Sequence, residues 1–276
     1  MLSRPERAKI GATMPPMSPL AGLLDWYVAM GADEAIGAEP RDRLAEPMAP
    51  PAPPPLERPA AAARAASPAL AAPGDAADSA RRLAAAAQTL AELEATIRAF
   101  EGCALKQTAT NTVIADGNPG SGLMVVGEAP GADEDRIGKP FVGRAGQLLD
   151  RMLAAIGIDR SGAYITNVLY WRPPGNRTPS SDEIAICLPF LWRHIALVRP
   201  RLLVMAGGTA ASTILGRKEG IMRLRGRWFD LPVPGLDKPL PALATYHPSF
   251  LLRAPARKSE AWIDLLSLQA RLESGR

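Results

Sequence analysis

Three segments of the chain hold side chains with the reach and variety to do chemistry. The first, Gly127-Glu128-Ala129-Pro130-Gly131, continues through Asp133, Glu134 and Asp135 to Gly138-Lys139-Pro140-Phe141-Val142-Gly143. Its glycines and prolines make a rigid turn whose backbone N–H groups can hold an anion or a carbonyl oxygen, and Phe141 can offer a ring face to a planar ligand. An ordinary strand-to-helix loop has the same composition. The second pairs Thr166-Asn167-Val168 with Arg172-Pro173-Pro174-Gly175-Asn176-Arg177. The Asn167 carboxamide both donates and accepts, so it can read the edge of a base or simply cap a turn. The stiff, doubly charged loop suits a phosphate clamp or a solvated surface. The third is Tyr246-His247-Pro248-Ser249-Phe250-Leu251-Leu252-Arg253, and His247 is one of only two histidines. Proline fixes the turn after it, and Leu251, Leu252 and Arg253 set apolar wedges beside a cation, a combination suited to intrusion into a duplex. The other histidine, His194, falls in a helical pattern beside Trp192 and reads as structural. The glycines of Met205-Ala206-Gly207-Gly208-Thr209-Ala210 fit neither a dinucleotide fingerprint nor a P-loop, so close helix-to-strand packing is the simpler reading.

The elements that must position these residues alternate along the chain. Apolar runs predict strands at 123–126, 164–169, 202–206 and 242–245. Helical spacing predicts helices at 146–156, 181–198, 209–215 and 256–272. That order implies a three-layer α/β/α sandwich with a mostly parallel central sheet. Ligands of such sheets lie at the carboxyl ends of the strands, and all three segments begin where a predicted strand stops. Upstream, Leu20, Leu23, Leu24, Tyr27 and Val28 predict one short docking helix in an N-terminal extension, 1–38. The Ala/Pro-rich stretch 39–78 lacks branched and aromatic residues and is expected to be a disordered linker. Ser79 is expected to cap a helix running to Phe100, opening a working domain over 79–276.

Charge is unevenly shared. Residues 1–100 carry 10 Lys and Arg against 12 Asp and Glu, whereas 101–276 carry 22 against 16. The basic excess of the C-terminal part suits a phosphate-bearing partner. There is no run of about 20 apolar residues and no secretory pattern at the amino terminus, so no membrane partner and a cytoplasmic location are expected. Two cysteines, Cys103 and Cys187, are too few for a disulfide framework or a four-thiolate metal site.

In this order, the three segments resemble the motifs of the family 4 uracil-DNA glycosylases, over residues from about 100 to 270. The resemblance implies an enzyme that flips deoxyuridine out of single- or double-stranded DNA, hydrolyses its N-glycosidic bond, and leaves an abasic site for base excision repair. It implies that Phe141 stacks on the uracil in a pocket formed with Gly127 and Ala129, that Asn167 reads the base edge, and that His247 donates toward the uracil O2. Glu128 is the first candidate for orienting water, with Asp133 and Glu134 as alternatives. Leu251 or Leu252 would fill the gap left in the duplex, while Arg172, Arg177, Ser249 and Arg253 would contact the DNA backbone. The family holds a [4Fe–4S] cluster on four cysteines. Here two of those positions are Cys103 and Cys187, but the others are Phe100 and Trp171, so no cofactor is expected and aromatic packing should take the cluster's place. A monomer is expected. The alternative is a catalytically weakened uracil- or DNA-binding module of the same fold.

Overall fold

A computed structural model of the chain describes residues 73–274. The expected 1–38 extension with its short helix and most of the 39–78 linker lie outside them. The core is a six-stranded sheet with strands β1 (Ala115–Gly117), β2 (Leu123–Gly127), β3 (Tyr164–Asn167), β4 (Leu202–Ala206), β5 (Trp228–Leu231) and β6 (Leu240–Thr245), in the order β1-β3-β2-β4-β6-β5. The four inner strands run parallel, and β1 and β5 close the edges antiparallel. The sandwich expected from the sequence is thus present.

Burial on both faces explains why the inner strands are unbroken apolar runs. Along β2, Met124 and Val126 enter one core with Leu203, Met205 and Phe190, while Leu123 and Val125 enter the other with Leu149, Val204 and Leu265. The helices Leu90–Ala99 and Ser181–Val198 cover the first face, and Arg144–Ala154 and Lys258–Ser274 the second. The Ser181–Val198 helix starts at a capping box formed by Ser180 and Glu183.

The single helix expected from Ser79 is two: Pro73–Ala86 and Leu90–Ala99, the second capped by Thr89, whose side chain accepts from the Glu92 amide. The first begins before Ser79 because Ala76, Ala80 and Ala84 form a buried stripe, and that helix packs on Ser181–Val198. Alanine there is core rather than linker. The strand expected over 164–169 ends at Asn167, although the Val168 and Leu169 amides still bond to the carbonyls of Gly127 and Glu128. Among the described residues, no helix is long and apolar enough to cross a membrane.

Candidate active site

A cleft of about 560 Å³ opens at the carboxyl ends of the parallel strands, lined by residues from all three motif segments. At its base Gly127, last in β2, sits in register with Asn167, last in β3. A Cβ on Gly127 would lie 2.4 Å from the Asn167 Oδ1 and 2.5 Å from the Phe141 Cζ, so glycine is what lets the carboxamide and the ring converge. Asn167 is only 2% exposed, and its Oδ1 has no hydrogen-bond partner. Buried acceptors are rarely left unpaired, so this oxygen stands out among the polar atoms of the cleft. Phe141 occupies a left-handed backbone conformation (φ 52°), and its ring centroid is 5.4 Å from that of His247.

His247 caps the helix Pro248–Arg253. The Ser249 amide donates to its Nδ1 at 3.1 Å, with the Ser249 hydroxyl 2.8 Å from the same nitrogen. A backbone amide can only donate, so Nδ1 carries no proton and the neutral ring bears its hydrogen on Nε2. Burial, helped by the nearby Arg253 cation, lowers the His247 pKa to about 4, which keeps the ring neutral near pH 7. Behind it Gly207, at φ 102°, approaches so closely that a Cβ would lie 2.9 Å from the His247 Cβ. Gly207, Gly208 and Thr209 line the cleft, so the glycine pair read from sequence as packing alone also admits the histidine.

The three candidate carboxylates separate clearly. Glu128 is half-buried and lines the cleft. Asp133 is exposed and paired with Arg136 at 3.2 Å. Glu134 borders the cleft, but its carboxylate accepts from the amides of Gly131 (3.1 Å), Val142 (2.9 Å) and Gly143 (2.9 Å). It clamps the two ends of the Phe141 loop together, and it takes the Gly131 N–H that the sequence offered to a ligand.

Several residues expected to meet DNA are placed otherwise. Leu251 is 1% exposed and packs with Leu148, Tyr246 and Ala261, because in the helix it faces inward; it is core, not wedge. Leu252 and Phe250 are half-buried beside it, and Phe250 lines the cleft. Ser249 turns its hydroxyl to His247 rather than outward. Arg177 reaches the cleft but forks onto Glu183 at 2.6 and 2.9 Å, which offsets its charge. Arg172 donates from Nε to the Asn176 Oδ1 at 2.7 Å. Arg253 is exposed at the cleft's rim. Ala129 lines the cleft as expected. Asn176, read from the sequence only as part of its loop, lines the cleft in a left-handed conformation (φ 54°). The signal was its place after Gly175, since asparagine tolerates that conformation better than other side chains.

Comparison with known proteins agrees with this geometry. Residues 114–266 match the family model described as the uracil DNA glycosylase superfamily. A type-4 uracil-DNA glycosylase of Pyrobaculum aerophilum is 39% identical over 180 residues, 64% of this chain and 91% of the relative. Those of Thermotoga maritima and Archaeoglobus fulgidus are 42% and 39% identical over 80% and 88% of their lengths. The chain belongs to the type-4 uracil-DNA glycosylases. Unlike the cluster-binding pattern of that family, the four ligand positions here contain two aromatic rings. Phe100 stacks on Trp171 with centroids 6.5 Å apart, and meets Phe190 edge-on at 5.1 Å. Cys103 and Cys187 are buried in the same core. No group of three or more His, Cys, Asp or Glu side chains suited to a metal occurs among the described residues. Two thiols and two rings thus stand at those four positions, and the Cys103 and Cys187 thiols hydrogen-bond to each other.

Proposed function

We propose that this chain removes uracil from DNA by hydrolysing the N-glycosidic bond of a flipped deoxyuridine. The observation that carries the proposal is the unpartnered, buried Asn167 Oδ1, set beside the Phe141 ring and facing the same cleft as His247. Uracil supplies what that oxygen lacks, because its N3–H donates to Oδ1 while the Asn167 amide donates to O4; cytosine presents the opposite pattern at both atoms.

A base within the duplex stack is out of reach, so the nucleotide must swing into the cleft, where Phe141 covers one face of the ring. As the bond between C1′ and N1 breaks, its electron pair moves onto uracil and the sugar becomes oxocarbenium-like. The neutral His247 donates its Nε2 hydrogen bond toward O2, where negative charge grows, and Ser249 fixes the tautomer that makes this possible. Glu128 is the carboxylate left to orient water toward C1′, since Asp133 is outside the cleft and Glu134 is consumed by the loop. Water adds at C1′, and its proton leaves to the departing uracil or to solvent. Arg253 at the rim meets a backbone phosphate, and with Leu251 buried, Leu252 or Phe250 is the side chain placed to fill the gap.

The same reading takes single- and double-stranded DNA as substrate, a monomer as the working unit, and the cytoplasm as its location. It assigns no iron–sulfur cluster, supported by the Phe100 and Trp171 rings at two of the four ligand positions and by the hydrogen bond between the Cys103 and Cys187 thiols. Retention of Glu128, Phe141, Asn167 and His247 around one cleft favours an active enzyme over a weakened binding module. The test is incubation with a uracil-containing oligonucleotide followed by alkaline strand cleavage: a break at the uracil is expected, and intact strand at excess of well-folded protein would refute the proposal.

A further inference from the structure

We infer that Arg160, outside every motif segment and outside the cleft, is a positioning residue that holds the Phe141 stacking platform; the inference rests on the uracil reading above. Phe141 is one of three non-glycine residues with positive φ among the described residues, a conformation that persists only where the surroundings impose it. Arg160 imposes it from one side. Its Nη2 donates to the Pro140 carbonyl at 2.6 Å and its Nη1 to the Phe141 carbonyl at 3.1 Å. The remaining donors are oriented by two acids, Nε to Asp116 at 2.7 Å and Nη1 to Asp150 at 2.8 Å. Asp116 lies on β1 and Asp150 on the Arg144–Ala154 helix, so the guanidinium is braced between the sheet edge and a helix.

The other side of the loop is fixed independently. Glu134 takes the two amides that follow Phe141, and a Cβ on Gly146 would lie only 1.8 Å from the Phe141 carbonyl oxygen, so the helix start presses on the peptide that Arg160 holds. Carbonyls before and amides after are thereby pinned, which sets the plane of the ring over Gly127 and beside His247. Arg160 does not touch the cleft, and its charge is matched by Asp116 and Asp150, so it is no phosphate ligand. Lysine could not replace it, because one ammonium cannot serve two carbonyls and two carboxylates in a planar fork.

A purely structural ion pair would contain the same two acids, so the test must separate stability from positioning. Single-turnover excision, binding to uracil-free duplex and thermal unfolding are measured for the parent, R160M, R160K, D150N, F141A and R160M/F141A. A misplaced platform costs rate, so R160M is expected to excise uracil about 10- to 100-fold more slowly with DNA binding changed less than about twofold. In the F141A background the same change should cost less than about threefold, because no platform is left to misplace. D150N should melt lower yet excise within about threefold of the parent, since both carbonyl bonds remain. Millimolar guanidinium should restore part of the R160M rate. Equal slowing by R160M with and without Phe141, or a parental rate in folded R160M, would overturn the inference. Should R160M fail to fold, R160K decides, and a parental rate there overturns it too. A parent that releases no uracil defeats the glycosylase reading itself, a result distinct from all of these.

Discussion

Replacing Asn167 by leucine should stabilise the protein and disable it at once. The Asn167 Oδ1 is buried without a partner in a side chain only 2% exposed, and an unsatisfied buried acceptor costs about 1–3 kcal/mol. Leucine keeps the heavy-atom branching of asparagine and has no polar atom to strand, so it escapes that cost. A gain of about 1–2 kcal/mol corresponds to a Tm rise of roughly 2–8 °C for a domain of this size. The loss in catalysis comes from two hydrogen bonds to uracil that strengthen as the base becomes an anion. At about 1.5–2 kcal/mol each, they amount to roughly 10²–10³ in single-turnover rate. Thermal unfolding by circular dichroism and excision at saturating enzyme, on the same preparations, measure both effects. A variant that melts below the parent would show that Oδ1 is not held at a cost in the free protein. One that excises uracil within tenfold of the parent would show that the carboxamide does not read the base.

Other expectations follow from the same geometry. His247→Ala should slow single-turnover excision by roughly 10²–10³ while leaving DNA affinity nearly unchanged, the scale for loss of one donor to a developing anion; Arg253→Ala should instead weaken binding to all DNA and flatten its salt dependence, as titrations at several salt concentrations would show. Because burial lowers the His247 pKa to about 4, the rate of excision should show no step near pH 6.5 from this group in a single-turnover profile. His194 is likewise lowered to about 4 by burial against 6.5 in the unfolded chain, so the unfolded state binds the extra proton. Its contribution to stability is complete above pH 6.5, falls as pH drops toward 4, and is reduced by roughly 2 kcal/mol at pH 5; His194→Gln should remove that part of the dependence in denaturant titrations. Purified protein should be colourless and iron-free by metal analysis, and stoichiometric iron with broad visible absorbance would contradict the aromatic filling.

The parallel core and the placement of the site were legible because their signals are local. Strands buried on both faces, such as Leu202–Ala206, are continuous apolar runs, and the three motif segments each follow one. The edge strands were not legible: Ala115–Gly117 has only three residues and Trp228–Leu231 lacks alternation, and both exist because an inner strand offers them a partner. Side-chain direction was lost for a related reason. Leu251 and Leu252 are adjacent apolar residues beside an arginine, and only the short helix at Pro248–Arg253 decides which one turns into the core. The sequence likewise put Glu128 first but left Asp133 and Glu134 open as alternatives, since nothing local reveals that Val142 and Gly143 return to bond Glu134.

The exchange of metal ligands for rings can leave the uracil pocket intact because of where the rings attach. Trp171 follows the same chain extension that carries Asn167, and its indole N–H donates to the Thr112 hydroxyl at 3.1 Å, tying that extension to the segment entering β1. Val113 bonds back to the Tyr170 carbonyl at 2.8 Å, so the junction is closed by backbone as well as by the ring. Burying an aromatic side chain of this size contributes about 4–6 kcal/mol at most, and Trp171 and Phe100 both lie within the core. A cluster would hold these segments through four directed bonds, whereas packed rings hold them through area and fit. The pocket requires only that the end of β3 be fixed relative to β2, and the direct pairing of Gly127 with Asn167 already does so. The aromatic filling therefore bears on stability, and excision should depend on Phe100 and Trp171 only as far as folding does.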